Sequence, residues 1–207
     1  YDIEHPKTFI LRKEMIKGDY TLPFQFPVIL KPSSGVKYWK YPFVGQDKVF
    51  KLNNKEKLDE IAQKIFNSGY NDSLILQDFI PGDDSFMRVL TCYSDKKGKV
   101  KMMSFGHVLL EEHTPHGLGN HSAILSDYEP LLMEKIKSFL ESIAYIGFSN
   151  FDIKYDSRDG KYKVFEINLR QGRSNFYVTG SRHNLAKYVV QEYIENKGLT
   201  LDIVKER

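Results

Sequence analysis

The sequence predicts an α+β protein with antiparallel sheets, and three observations carry that reading. Residues 86–110 and residues 150–168 each pair two strand-forming runs around a turn. The 55–67 and 129–146 stretches instead repeat apolar residues at helical spacing. Thirteen Tyr and fourteen Phe favour sheet-rich packing.

In chain order, residues 1–22 are mixed, with His5-Pro6-Lys7-Thr8 an extended entry and residues 13–17 a short helical or irregular piece. Residues 26–32 make a short apolar strand whose end carries Lys31. Ser33-Ser34-Gly35-Val36-Lys37 then reads as a small-residue loop able to turn backbone N–H groups to an anion. A lysine before such a loop suits phosphate oxygens, and a strand-end lysine in water fits the same residues. Residues 49–52 are a second strand. Asn53 or Asn54 caps the 55–67 helix, whose stripe is Leu58, Ile61, Ala62 and Ile65 and which Gly69 ends. Residues 73–80 are nearly all apolar, so a buried strand is expected there, stopped by Pro81-Gly82. The strands of 86–93 and 100–110 pair across Asp95-Lys96-Lys97-Gly98.

Residues 111–121 hold two Gly, a Pro and three His, His113, His116 and His121. Three imidazoles raise zinc, but no cysteine partner and no helical H-x-x-x-H pair accompany them. A lid over a phosphate site is the better reading of so glycine-rich a loop. Leu132, Ile136, Phe139, Leu140 and Ile143 form the stripe of the 129–146 helix, and Leu185, Tyr188, Val189 and Ile194 that of a helix over 185–195.

The most informative stretch is 149–174. Asn150–Tyr155 and residues 162–168 alternate polar with apolar, around Ser157-Arg158-Asp159-Gly160. Residues two apart on a strand share a face, so Glu166, Asn168 and Arg170 project together. Asp152 joins them if the hairpin closes around Arg158–Asp159. Two carboxylates, a carboxamide oxygen and a cation make either a polar surface face or a site for Mg²⁺ and phosphate, since Mg²⁺ takes oxygen ligands.

Composition excludes several classes. At 207 residues the chain is long enough for one large domain or two small lobes. A net charge of +3, with no basic stripe interleaved with aromatics, argues against nucleic acid as partner. The single cysteine, Cys92, excludes an internal disulfide framework, fits a reducing compartment, and lies in an apolar run as packing. No apolar run reaches the length of a membrane span. The oligomeric state is not written in the sequence.

Four separated motifs occur in a distinctive order: strand-Lys31-Pro-Ser-Ser-Gly, Asp78-Phe79-Ile80-Pro-Gly-Asp-Asp84, Asn150-x-Asp152, and Glu166-x-Asn168-x-Arg170. This order resembles the ATP-grasp superfamily across nearly the whole chain, residues 1–207. The tail Glu166–Ser174 is similar to the carbamoyl-phosphate synthase large-subunit branch of carboxylate–amine ligases. Residues 79–84, residues 87–93 and Arg170-Gln-Gly-Arg173-Ser resemble the D-aspartate ligase group, which attaches D-aspartate to the lysine side chain of a peptidoglycan precursor.

The resemblance implies two α+β lobes, about residues 22–93 and 94–200, with antiparallel sheets holding nucleotide between them. It implies ATP and Mg²⁺ as cofactors and small-molecule carboxylate and amine substrates, in the cytoplasm. Lys31 would contact the α- and β-phosphates. Gln77, Asp78, Phe79 and Ile80 would form the adenine hinge, and Asp84 would meet the ribose hydroxyls. Asp152, Glu166 and Asn168 would hold Mg²⁺. Arg170 and Arg173 would hold the transferring phosphoryl group or the substrate carboxylate. Members of the family also carry an N-terminal domain and an early phosphate-binding basic residue, both expected to be missing here, so weak or absent ligase activity with surviving nucleotide binding is expected; the alternative is a nucleotide-binding module, or a carbamoyl-phosphate-synthase-like ATP-grasp domain, inactive in isolation.

Overall fold

The computed structural model describes residues 1–18, 20–114 and 119–205. The chain divides into two compact units, Pro6–Ile80 on one side and Tyr1–His5 with Pro81–Arg207 on the other.

In the first unit, strands β1 (Thr8–Leu11), β2 (Val28–Pro32), β3 (Phe50–Leu52) and β4 (Leu74–Asp78) form an antiparallel sheet in the order β1-β4-β2-β3. Ser34 caps α1 (Gly35–Tyr38), its hydroxyl accepting from the Lys37 amide. The stretch expected as an open loop is thus one helical turn. Helix α2 (Lys55–Asn67) starts at Asn54, whose side chain accepts from the Lys57 amide at 2.9 Å. Its Leu58, Ala62, Ile65 and Phe66 pack with Leu11, Val28, Leu30, Leu52, Leu74 and Leu76. Because the core covers one face of the sheet, only alternate residues of β4 are buried, not the whole strand as expected.

The second unit carries β5 (Met87–Ser94), β6 (Val100–Glu111), β7 (His121–Asp127), β8 (Gly147–Asp156), β9 (Lys161–Asn168) and β10 (Asp202–Ile203). Its sheet runs β10-β6-β5-β8-β9, with β7 also on β6. Both expected hairpins, β5–β6 and β8–β9, form. Since β5 hydrogen-bonds to β6 and β8, the units part between Ile80 and Pro81, and not at 93/94 where the expected lobes meet.

Helix α3 (Pro130–Ser142) buries Leu132, Met133, Ile136 and Leu140 against Leu90, Cys92, Phe105, Phe151 and Ile153. Ile143, expected in that stripe, lies past the last turn and is exposed. Burial pushes the Cys92 thiol up, which suits a packing residue. Strand β7 was not legible in the apolar pattern, because only Ser126 of it is buried and its pairing slips twice.

Two short helices follow, α4 (Phe176–Gly180) and α5 (Leu185–Val189). The expected 185–195 helix widens into a π-helical turn over Val190–Ile194. That turn brings Glu192 inward to accept from the Tyr93 hydroxyl at 2.6 Å and the Lys96 amide at 2.7 Å. It also leaves Val189 and Ile194 exposed, contrary to the helical stripe read from sequence.

The β8–β9 turn has its own anchor. Asp156, fully buried, accepts from the Arg158 amide (3.0 Å) and guanidinium (2.8 and 2.7 Å) and from Lys163 Nζ (2.6 Å). Arg158 first, then Lys163, holds its carboxyl well below the usual carboxylate range.

Candidate active site

The four-residue turn pairs Asp156 with Lys161, and Ile153 with Val164. Continued without interruption, that register would set Asp152 opposite Phe165 and turn Glu166 to the face that α3 covers. A bulge between Ile153 and Asp152 adds one residue to β9 instead. Asp152 then pairs with Glu166, and Asn150 with Asn168. All four side chains stand on the sheet face opposite Phe151, Ile153 and Val164, which pack with α3.

On that face the Asn168 amide donates to Asp152 Oδ2 at 3.1 Å, and the Asn150 amide reaches Oδ1 at 3.5 Å. Arg170 is exposed, one nitrogen bonded to the Gln171 carbonyl at 3.1 Å and another 3.5 Å from Asn168 Oδ1. The structure therefore brings Asp152, Glu166, Asn168 and Arg170 together. Arg173 lies further along, 3.7 Å from Glu112. The donors are all oxygens, two of them anionic, which fits Mg²⁺ and argues against a soft-metal site. Among the described residues no group of three or more His, Cys, Asp and Glu is gathered to hold a metal, so any cation here also depends on the carboxamide.

Two residues of the 111–121 stretch join this site, which the sequence reading assigned to a lid. His121 opens β7 with a side chain only 4% exposed, its Nε2 3.9 Å from Asp152 and its Nδ1 3.4 Å from Glu111. Asp84, expected at the ribose, accepts from the Glu111 amide at 2.9 Å and contacts His113 Nε2 at 2.8 Å. The Glu111 amide, followed by His113, holds that carboxyl below the usual range. The centre of the expected lid, with His116, lies at 115–118, outside the described residues.

In the other unit, Lys31 pairs with Ile75, and Ile29 pairs with both Gln77 and Lys51. Register partners and alternate residues share a face, so Lys31, Lys51 and Gln77 stand opposite the α2 side of their sheet. Lys51 Nζ lies 3.9 Å from the Phe79 ring centroid, a cation–π contact. Lys51 was not among the residues read from sequence, although the alternation Phe50-Lys51-Leu52 carried the signal. The Asp78 amide donates to the Lys7 carbonyl at 2.9 Å, and Ile80 is buried.

No protein-family model matches the chain. It is 50% identical over 200 residues to a D-aspartate ligase of Enterococcus faecium (strain Aus0004), covering 95% of this chain and 48% of that protein. The chain thus spans about half the length of this curated relative. Among solved structures, an L-amino acid ligase from Bacillus licheniformis matches 92% of this chain and 43% of its own, at a TM-score of 0.59 and 16% identity. The biotin carboxylase domain of a Hydrogenobacter thermophilus 2-oxoglutarate carboxylase, solved with MgADP and bicarbonate, matches 91% and 41%, at 0.63 and 16%. The chain therefore shares the ATP-grasp fold of these structures, and it is similar in sequence to D-aspartate ligase across about half of that protein.

Proposed function

We propose that the chain supplies the nucleotide- and cation-handling part of an ATP-dependent carboxylate–amine ligase acting on D-aspartate, with a lysine amine of a peptidoglycan precursor as acceptor. The observation that carries this is the bulged register that sets Asp152 against Glu166 and Asn150 against Asn168 on one sheet face, exposed at Glu166 and buried at Asn150. The 50% identity to a D-aspartate ligase supports the choice of carboxylate. Two carboxylates abreast repel one another, and a divalent cation relieves that repulsion.

A carboxylate is a poor electrophile. Its oxygen attacks the γ-phosphorus of ATP, the bond to the β-phosphate oxygen breaks, and ADP leaves an acyl phosphate. The amine then attacks the acyl carbon, expels inorganic phosphate and loses a proton, leaving an amide. Such chemistry asks the protein for position and charge neutralisation and needs no covalent nucleophile. Mg²⁺, held by Asp152, Glu166 and Asn168, would supply charge neutralisation at the phosphate oxygens.

The chain's own residues divide the remaining work. Lys31, with Lys51 on the same face, binds phosphate oxygens as point charges. Residues 77–80 offer backbone groups and the Phe79 ring to adenine. Arg170 presents a planar fork to the transferring phosphoryl group or the substrate carboxylate, and Arg173 assists it. Asp84 anchors the Glu111 end of the loop and keeps its other oxygen for ribose. Among the described residues no helix is long and apolar enough to cross a membrane, and we place the reaction in the cytoplasm, where ATP is available.

The test is ATP turnover by the whole protein with Mg²⁺ and D-aspartate, with hydroxylamine present to trap the acyl phosphate as a hydroxamate. Phosphate release and hydroxamate that both require D-aspartate are expected. Turnover indifferent to any carboxylate, or none at all, would reject the ligase reading.

A further inference from the structure

A row of polar residues crosses the second sheet beneath the candidate cation site. Ser104 of β6, Thr91 of β5, Asn150 of β8 and Asn168 of β9 are successive register partners, so their side chains stand on one face. Ser104, Thr91 and Asn150 are buried, and burial of polar groups costs stability unless each finds a partner. Here they do. The Thr91 hydroxyl donates to Asn150 Oδ1 at 2.9 Å, and Asn150 in turn points its amide at Asp152.

Tyr177 of α4 reaches the same row, donating to the Ser104 carbonyl at 2.6 Å with its oxygen 3.2 Å from Thr91 Oγ1. Burial pushes that phenol up, so it stays a neutral donor. Asn175, also buried, lies with Oδ1 3.1 Å from Thr91 Oγ1 and its amide nitrogen unpartnered. A hydroxyl has one proton to donate. With that proton on Asn150, turning the Asn175 nitrogen toward Thr91 would satisfy both groups.

Gly172 closes the arrangement from the Arg170–Ser174 turn. A Cβ there would sit 2.7 Å from Asn175 Oδ1 and 3.0 Å from Asn150 Cγ, so the backbone presses directly on both amides. Glycine is required at this position for space.

We propose that the buried Thr91–Asn150 pair, flanked by Tyr177 and packed under Gly172 and Asn175, is positioning machinery that sets the rotamer of Asp152 for its cation. The inference rests on the reading of Asp152, Glu166 and Asn168 as a cation site. Partners that orient a ligand from behind change metal affinity by about 10–100-fold when removed. Thr91 bonds to Asn150 and is not itself one of the proposed ligands, so its effect reaches the cation through Asn150.

The test is Mn²⁺ binding to the whole protein in the presence of ADP, followed by loss of the free-ion electron paramagnetic resonance signal. Wild type is expected to bind and Asp152→Ala to lose binding. Thr91→Val, which keeps shape and removes the hydroxyl, is expected to weaken Mn²⁺ at least tenfold, and Gly172→Ala likewise. Thr91→Ser, which keeps the hydroxyl, is expected to bind as wild type does. Equal affinity in Thr91→Val and wild type would overturn the proposal while leaving the cation site standing. Equal losses in Thr91→Ser and Thr91→Val would overturn it too, since the methyl and not the hydrogen bond would then matter. Absence of Mn²⁺ binding in wild type would reject the cation site itself.

Discussion

Glu166→Gln should raise the stability of the metal-free protein while removing its response to Mg²⁺ and ATP. Glu166 and Asp152 are cross-strand partners, and such pairs hold their Cβ atoms about 4.5–5.5 Å apart. Two unit charges about 6 Å apart at an effective dielectric of about 20 repel by about 3 kcal/mol. Glu166 is exposed, so screening by water reduces this to about 0.5–1 kcal/mol. For a chain of this size, relief of that repulsion raises the metal-free midpoint by about 1–4 °C. The ligand response moves the other way. Wild type at a hundred times its dissociation constant gains about 2.7 kcal/mol, or about 5–11 °C. A hundredfold loss of affinity in Glu166→Gln leaves about 0.4 kcal/mol, a shift of about 1–2 °C. Thermal unfolding by far-ultraviolet circular dichroism, with Mg²⁺ and ATP together and separately, reads both terms. A lower metal-free midpoint in the variant, or an undiminished ligand shift, would refute the assignment of this pair to cation binding.

Arg170→Lys keeps the charge and loses the planar fork, so D-aspartate-dependent phosphate release should fall at least tenfold while the MgADP-induced thermal shift stays as in wild type. Asp156→Asn should destabilise the protein by about 3 kcal/mol in urea unfolding at pH 7, because it leaves Arg158 and Lys163 facing a neutral group. The sign with pH follows from a depressed carboxyl. Its stabilisation is fully present above the ordinary value of 3.8 and is lost as pH falls toward the lower folded value, so the two proteins should converge below pH 4. A difference that persisted unchanged at pH 2.5 would place its cause in packing.

Much of the chemistry was legible in local sequence because it is local. Asn54 and the spacing of Leu58, Ala62 and Ile65 specify α2 without help from distant residues. Asp95 and Gly98 specify the β5–β6 turn, with Gly98 at a φ of 69° and Asp95 accepting from the Lys97 and Lys99 amides. Four motifs in order were enough to point to the ATP-grasp fold. Local pattern is insufficient where a neighbour decides. β4 looked wholly buried until its sheet proved to be covered on one face, and β7 has too few buried residues to show an alternation.

The cation site itself divides along the same line. Sequence alone placed Glu166, Asn168 and Arg170 on one side of a strand, because alternation is a property of the extended backbone. It did not determine which face of the sheet that side would be, nor that Asp152 would stand beside them. A four-residue turn with unbroken pairing puts Glu166 toward α3, and the extra residue at the β9 bulge turns it to the open face. A one-residue change of register reverses every side chain beyond it, so that choice belongs to the packing of Ile153, Val164 and α3, which only the folded sheet contains.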